Sequence, residues 1–229
     1  MTAAGFGLAA WGWFAPAPYL PCILVLALTP PAALAFIATP GGRAHWRLFD
    51  VKGDPAPSVT MPWFIGSVMT AVRALLDINI LDWQGPFLAA TVLGLACGWV
   101  VHRLVSSEAT TPRYPRRALV LGVVSAFLGL GWGWGVVAQL DARLDRAPAS
   151  PVRTRILGAG VFRGRSVIYS LDLAPWGGPD ENGPVDVPRS LFDQVRKGGL
   201  VCVTPHPGAL RFRWYEVALC GPPVARLRS

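Results

Sequence analysis

Few side chains in this sequence of 229 residues have the types and spacing that catalysis, metal binding or transport requires. Arg73 and Asp77 are four residues apart in an otherwise apolar stretch, so on a helix they share one face and can form an ion pair. An isolated charge inside a bilayer is costly, whereas a pair turned toward other helices costs much less. The spacing therefore predicts an intramembrane ion pair, with a transport pathway as the functional alternative to a structural role.

The four cysteines are too few for a disulfide framework. Cys22 and Cys97 lie in apolar stretches, so we expect them to be buried there as small apolar residues. Cys202 and Cys220 lie in the strand-like tail, and in an oxidising compartment they can form a disulfide. The alternative is a pair of reduced cysteines in the core of the tail.

Metal binding and catalysis have weak support in the sequence. Cys202 and His206, with Cys220 as a third ligand, lack the spacing of common zinc sites. His206 stands between two prolines, which favours a turn histidine in solvent. The sequence contains no nucleophile elbow, zinc-protease pair or phosphate-binding loop. We therefore expect no enzymatic activity, no cofactor and no metal.

The composition is that of an integral membrane protein. Hydrophobic residues make up 52% of the chain and charged residues only 15%, and the first charged residue is Arg43. Soluble domains carry about 25% charged residues, so disordered chains, collagen-like chains and ordinary soluble enzymes are excluded. The net charge of +8 comes almost entirely from arginine, a bias typical of a GC-rich bacterial genome. Because no run of five basic residues occurs, we expect no nucleic-acid partner.

Four segments are candidate membrane spans, since a bilayer core of about 30 Å needs roughly 20 apolar helical residues. Residues 86–104 and 118–140 meet this length without interruption. Residues 19–39 predict one span kinked by prolines, with a hairpin of two short helices as the alternative. Residues 61–81 contain Arg73 and Asp77, and the alternative there is an amphipathic helix lying flat on the membrane surface.

The distribution of basic residues favours four spans. With four spans, the two loops around residues 40–60 and 105–117 lie on one side of the membrane, and they and their flanks hold seven basic residues against none in the loops of the other side. The positive-inside rule then places both basic loops in the cytoplasm. The prediction is a multi-pass protein of the cell inner (plasma) membrane, whose N-terminus and tail are extracytoplasmic. The seven residues are Arg43, Arg47, Lys52, Arg103, Arg113, Arg116 and Arg117.

After a short linker at residues 147–151 the sequence changes from long apolar runs to a strand-like tail. Alternating apolar residues and turn motifs in residues 152–221 predict five short strands and one helical turn. The predicted fold is thus an α-helical membrane bundle of about four transmembrane helices over residues 1–146, followed by a small all-β barrel-like domain of SH3 or OB type. Residues 222–229 are a short terminal tail. The predicted strands are 152–162, 166–173, 185–187, 200–204 and 210–219.

Several short motifs of the tail occur in a characteristic order. They are Leu144-Asp145-Arg146, Leu173-Ala174-Pro175-Trp176, Val201-Cys202-Val203, His206-Pro207-Gly208-Ala209-Leu210 and Trp214-Tyr215. In this order the chain resembles a group of uncharacterised bacterial multi-pass membrane proteins that carry a small β-domain after their last helix. The resemblance covers about the last 90 residues, and it implies an architecture but no activity.

Arg163 and Arg165 flank the tip of the first predicted hairpin. An arginine-rich surface of this kind pairs with an acidic protein surface or with anionic lipid headgroups, unless it serves only to keep the domain soluble. The predicted partners are the lipid bilayer and another membrane or envelope protein. The predicted function is presentation of a small extracytoplasmic β-module for protein-partner binding or envelope scaffolding. The alternative is an oligomeric transporter or channel component that uses Arg73 and Asp77.

Overall fold

The computed structural model of the chain forms two compact units. The helical unit comprises Met1–Ile78 and Asp82–Arg143, and the β unit comprises Asn79–Leu81 and Leu144–Ser229. The predicted tail at 222–229, Arg165, and the loop residues Lys52 and Arg113 lie outside the residues that the structure describes. The described residues are 3–14, 20–50, 55–107, 115–163, 167–177 and 183–220.

The described residues of the helical unit form six helices. Three of them, α2, α5 and α6, are long and apolar enough to cross a membrane, and they correspond to the predicted spans 19–39, 86–104 and 118–140. The fourth predicted span, 61–81, corresponds to α4, which is not among these three. The helices are α1 (Ala3–Phe14), α2 (Leu20–Ala38), α3 (Pro40–His45), α4 (Thr60–Asp77), α5 (Gln84–Ser106) and α6 (Pro115–Leu144).

The N-terminal region contains two helices, of which only α2 has the length of a span. With 12 residues, α1 extends about 18 Å, well short of a bilayer core of about 30 Å. Its Gly12 packs closely on α4, because a Cβ atom there would lie 3.1 Å from Cε of Met69. On the same face of α4, Met69 also packs against Cys22 and Leu26 of α2.

Helix α4 runs alongside α6 and in the same direction. The first half of α4 packs on α2, where a Cβ atom on Gly66 would lie 3.0 Å from Cδ of Pro30. Further along, the backbone of Thr70 reaches Gly135, where a Cβ atom would lie 2.6 Å from the Thr70 carbonyl oxygen. At its end, the charge of Asp77 interacts with that of Arg143, in the last turn of α6. The second half of α4 therefore runs beside the C-terminal part of α6.

The structure ends α4 at Asp77, four residues before the end of the predicted span. Ile78 has extended backbone angles, with φ −132° and ψ 122°, so the helical hydrogen bonds stop there. Asn79 and Ile80 then form a short strand, β1. The ion pair predicted within a span consequently lies in the last turn of a helix.

The two basic loops meet at one end of the helical unit. Helix α3, directly after α2, begins with a hydrogen bond from the Gly42 N–H to the Thr39 hydroxyl (3.0 Å). Within α3, Nη1 of Arg43 donates a hydrogen bond to Oγ of Ser107, the residue that follows α5 (3.3 Å). The first loop also contributes Leu48, which is fully buried, to the apolar cluster that holds Leu104 of α5. Both loops thus lie on the same side of the helices.

The β unit is a curled six-stranded antiparallel sheet, a half-barrel with the strand order β1-β6-β5-β2-β3-β4. The predicted all-β domain is present, and its sheet is open between the edge strands β1 and β4. The helical turn predicted after Pro188 is α7 (Arg189–Phe192). The strands are β1 (Asn79–Ile80), β2 (Val152–Arg163), β3 (Val167–Leu173), β4 (Gly183–Val187), β5 (Leu200–His206) and β6 (Trp214–Leu219).

The strand that the sequence analysis missed is β1. In the sheet Asn79 pairs with Tyr215 and Ile80 pairs with Trp214, and the N–H of Leu81 donates to the carbonyl oxygen of Arg213 (2.8 Å). The connection between α4 and α5 thereby becomes an edge of the C-terminal sheet. The prediction that residues 152–221 contain all the strands of this domain was wrong for this reason.

Two predicted strand ends also differ from the observed ones. Strand β5 continues to His206, where a turn was predicted, because Pro205 and His206 pair with Tyr215 and Trp214. Strand β6 begins at Trp214, four residues later than predicted. Arg211 has a φ of 68°, a left-handed backbone conformation that a strand cannot accommodate.

The core of the β unit follows the strand alternation. Side chains at every second position of β2, β3 and β5 are almost completely buried, and Leu191 of α7 packs on them. Val167, which the alternation predicts on this buried face, is instead 51% exposed. The central core residues are Ile156, Leu171, Leu173, Val201 and Val203.

The close approach of α4 and α6 gives a testable pair of substitutions. Gly135→Ala places a methyl group against the backbone of Thr70, which cannot move aside as a side chain can. We expect it to lower the free energy of unfolding by about 1–3 kcal/mol. Gly131→Ala, on the same helix, places its methyl group at an ordinary 3.9 Å from Ala71 and serves as the control.

The measurement is the thermal stability of the purified protein in detergent, followed by size-exclusion chromatography after heating. The control should melt at or above the wild-type temperature, since alanine favours a helix over glycine by up to about 1 kcal/mol. Equal melting temperatures for the two variants would contradict the observed packing of α4 on α6.

Candidate functional site

The predicted pair of Arg73 and Asp77 is joined in the structure. Nη2 of Arg73 lies 2.7 Å from Oδ1 of Asp77, and the two side chains are only 8% and 10% exposed. A carboxylate at the C-terminus of a helix is unfavourable next to the helix dipole, so the guanidinium one turn earlier stabilises it. The pair is a buried, charge-assisted hydrogen bond at the end of α4.

Two residues of α6 extend this pair into a cluster. Nε of Arg143 donates a hydrogen bond to Oε1 of Gln139 (3.0 Å), and both residues are electrostatic neighbours of Asp77. The sequence analysis missed both, because their proximity to Asp77 depends on how α4 packs on α6. A signal was present, however: Gln139 and Arg143 repeat the four-residue spacing of Arg73 and Asp77 at the end of an apolar run.

The cluster has the chemistry of an internal link between two helices. Oδ2 of Asp77 and Nε2 of Gln139 are buried, and neither atom has a hydrogen-bond partner among the described residues. One atom is an acceptor and the other a donor, so each suits the other. Arg73 and Arg143 balance the charge of Asp77 within the helical unit. With Gln139 they hold the ends of α4 and α6 together.

The structure joins Cys202 and Cys220 as a disulfide. Cys202 lies in β5 opposite Ala218, and Cys220 directly follows β6, so the bond is a diagonal link between neighbouring strands with a Cα–Cα distance of 5.0 Å. Cys22 and Cys97 are free thiols in the helical unit. The disulfide ties the end of the last strand to the middle of the sheet.

His206 does not lie in solvent, as the flanking prolines suggested, but is only 3% exposed. Its ring stacks on that of Trp214, with centroids 4.0 Å apart and planes inclined by 9°. Nδ1 faces Oδ2 of Asp145 at 3.8 Å, and Nε2 faces Oε2 of Glu216 at the same distance. The pairing of β5 with β6 places the histidine and the tryptophan side by side.

Asp145 fixes the chain that follows α6 onto the β5–β6 turn. Its Oδ1 accepts a hydrogen bond from the N–H of Ala147 (2.8 Å), and its Oδ2 accepts one from the N–H of Gly208 (3.0 Å). Two of the motifs that carried the family resemblance, at residues 144–146 and 206–210, meet in this contact. The geometry is that of a structural carboxylate, since both oxygens bind backbone N–H groups.

The alternative of a metal site at Cys202, His206 and Cys220 conflicts with the disulfide, because a bonded cysteine has no thiolate to offer a metal. Within the described part of the chain, no three His, Cys, Asp or Glu side chains are grouped so that they could hold a metal ion.

Tyr215 is a titratable group of the β unit whose pKa is perturbed. Burial raises the pKa of its phenol, and the charge of Asp186 raises it further. Its ring lies 5.3 Å from that of Trp176, at the edge of the core. Because the folded-state pKa is raised, its stabilising contribution is present below the usual value of about 10 and is lost as the pH rises above it.

The predicted contact residue Arg163 is exposed at the tip of the hairpin formed by β2 and β3, where it pairs with Val167. Its companion Arg165 lies outside the described residues. Next to Arg163, Phe162 is 69% exposed and its cross-strand neighbour Ile168 is 39% exposed. The hairpin therefore presents an aromatic and an aliphatic side chain beside an arginine.

Comparison of the chain with protein-family models, with curated proteins and with solved structures gives no match. The resemblance to bacterial multi-pass membrane proteins stays a prediction.

The buried charge cluster predicts an asymmetry between single and double substitutions. Asp77→Ala leaves Arg73 buried without its carboxylate, which typically costs about 3–5 kcal/mol, whereas Asp77→Ala combined with Arg73→Ala removes both charges. We expect the single variant to accumulate less folded protein in membranes than the double variant does. The measurement is the amount of monodisperse protein after detergent extraction.

The chain offers a matched control in Arg189 and Asp193. This pair has the same four-residue spacing on α7, but its side chains are 74% and 58% exposed. Asp193→Ala should therefore change stability by less than about 1 kcal/mol. If Asp77→Ala accumulates as the control does, the Arg73–Asp77 pair is solvated and α4 lies on the membrane surface.

Proposed function

We propose that the protein is an integral membrane protein that presents its half-barrel outside the cytoplasm as a binding module for another envelope protein. The observation that carries the proposal is the pairing of β1 with β6. Strand β1 precedes α5, and the other five strands follow α6. Two candidate spans lie between the two parts of one sheet, and an even number of crossings returns the chain to the same side of the membrane.

We further propose that α4 is a fourth span. Its first half packs on Pro30 of α2 and its second half on α6, from Gly135 to the charge cluster near Arg143, as a helix within the bundle does and a helix lying flat on the surface does not. With α2, α5 and α6 it makes four crossings, and both basic loops then fall on one side. The contact of Arg43 with Ser107 supports this arrangement, since it joins the ends of those loops.

Two independent arguments favour an extracytoplasmic β unit. The positive-inside rule assigns the arginine-rich loops to the cytoplasm and hence the tail to the opposite side. Disulfides persist in oxidising compartments and are rare in the cytosol, and Cys202 and Cys220 are joined in the β unit. The inner (plasma) membrane, with the β unit facing outward, satisfies both.

The charge of the β unit favours an acidic protein partner. Residues 144–229 contain twelve basic and seven acidic side chains. Arg153 and Arg155 are both exposed on the outer face of β2, away from the core. Guanidinium groups spaced in this way suit the carboxylates of an acidic surface, which gives specificity and fast association. We propose a binding role rather than catalysis, because Asp145 and His206, the group that most resembles catalytic machinery, form structural contacts.

The alternative of an oligomeric transporter that uses Arg73 and Asp77 has less support. The pair occupies the last turn of α4, and its charges are matched by neighbouring groups on α6. A transport pathway would instead leave such groups accessible to a substrate.

The topology predicts the behaviour of reporters and thiols in a bacterial host. A phosphatase fused after Ser229 should be active, and a fluorescent protein that matures only in the cytoplasm should stay dark there. Of the four cysteines, only Cys22 and Cys97 should react with an alkylating reagent after denaturation without reductant. A fluorescent C-terminal fusion would contradict the extracytoplasmic placement, and so would four reactive thiols.

The partner proposal predicts a charge-dependent contact. A photoreactive amino acid at Leu200, which lies opposite Arg155 and is exposed, should cross-link a single acidic envelope protein in intact cells. Arg153→Glu combined with Arg155→Glu should reduce that cross-link about tenfold or more, because like charges now face each other. Arg189→Glu, a charge reversal on α7, is the control and should leave it unchanged. Equal cross-linking in all three proteins would contradict the proposed surface.

A further inference from the structure

Strands β2 and β3 extend beyond the rest of the sheet. Strand β5 pairs with β2 only from Val152 to Arg155, and β4 pairs with β3 only as far as Tyr169. Beyond those points the two strands pair only with each other, up to Arg163 opposite Val167. We call residues 161–163 and 167–168 the arm tip.

The arm tip exposes apolar side chains on both of its faces. Val161 and Val167 lie on one face and are 41% and 51% exposed. Phe162 and Ile168 form a cross-strand pair on the other face and are 69% and 39% exposed. A two-stranded ribbon is only marginally stable in water by itself, so four exposed apolar residues at its end indicate an apolar environment there.

The presence of apolar side chains on both faces of the arm tip distinguishes a lipid environment from a protein surface. A protein surface that docks on a ribbon covers one face and leaves the other in water. A lipid phase surrounds the ribbon and removes both faces from water at once. The arrangement of the arm tip therefore favours lipid over a protein partner.

The positive charge at the arm tip indicates that the lipid is anionic. Arg163 is exposed beside Val167. A planar guanidinium group binds phosphate oxygens with two parallel hydrogen bonds, and basic residues near an anionic membrane surface contribute about 1 kcal/mol each. The β unit as a whole carries an excess of basic residues, which attracts it to an anionic surface.

We infer that the arm tip inserts into the interfacial layer of an anionic phospholipid bilayer. Phe162 and Ile168 contact the upper part of the acyl chains, and Arg163 binds lipid phosphates. Strand residues rise about 3.4 Å each, so the arm tip has the length to reach the depth of about 5–10 Å at which interfacial segments bury their apolar side chains. This lipid contact is separate from the outer-face arginines proposed for the protein partner.

The test uses the full chain in lipid nanodiscs, without any other envelope protein. In a background of Cys22→Ala and Cys97→Ala, Phe162→Cys is labelled with an environment-sensitive fluorophore. The matched control is Arg189→Cys, an exposed site on α7. Nanodiscs contain phosphatidylcholine alone or with about one third phosphatidylglycerol, and a nitroxide near the top of the acyl chains serves as quencher.

We expect the label at position 162 to shift its emission to the blue and to be quenched about threefold more than the label at position 189. Its quenching should increase with phosphatidylglycerol and fall again when Arg163→Glu is added. Equal emission and quenching at both positions would overturn the inference. A blue shift without quenching by the nitroxide lipid would also overturn it, because the arm tip would then contact protein, such as a second copy of the chain.

A second labelling site tests whether the result at position 162 is a local effect of replacing Phe162. Ile168→Cys lies opposite position 162 on the same face of the arm and should give the same lipid-dependent shift and quenching. Because the nanodiscs hold no partner protein, a negative result here leaves the proposed protein-binding function untouched, and loss of the envelope cross-link leaves this inference untouched.

Discussion

The pairing of β1 with β6 constrains the rest of the chain. Backbone polar groups must find partners, and here Asn79, Ile80 and Leu81 find theirs on strands and turns more than 130 residues later. To supply β1, the helix before it must end at Asp77, which sets the carboxylate of that residue in the last turn. For the same reason the chain must return to this sheet after α5 and α6. The sheet topology and the end of α4 thus follow from one short strand.

The sequence predicted what local patterns encode. Continuous apolar runs located α2, α5 and α6, because a span must be apolar along its whole length. Alternation located β2 to β5, because every second side chain enters the core. Strand β1 has only two residues, too few for a pattern, and it continues an apolar helical segment. His206 was misplaced because its local signal, two flanking prolines, is a turn signal, whereas its burial depends on Trp214 and Asp145.

In the charge cluster, too, the sequence predicted the local part and missed the part that depends on packing between helices. The spacing of Arg73 and Asp77 is local, so the sequence identified the pair. Gln139 and Arg143 join it only because α4 and α6 lie close together, and that contact depends on Gly135, where any side chain would meet the backbone of Thr70. In an apolar bundle the hydrophobic effect does not select one helix register, whereas close backbone contacts and a matched set of buried charges do. The two features therefore act together to fix how α4 and α6 align.

The two halves of strand β2 differ, because the first contributes to the core and the second is exposed. Before the irregularity between Ile156 and Gly158, alternate side chains of β2 enter the core, and after it neither face is buried. A bulge increases the local twist and bends a strand away from its sheet, and Gly158 and Gly160 offer little resistance to that bend. The first half of β2 is consequently constrained by Ile156 and its neighbours in the core. The second half, which ends in Phe162 and Arg163, contributes no side chain to the core, so the core does not determine its apolar and basic residues, and the proposed lipid contact accounts for them.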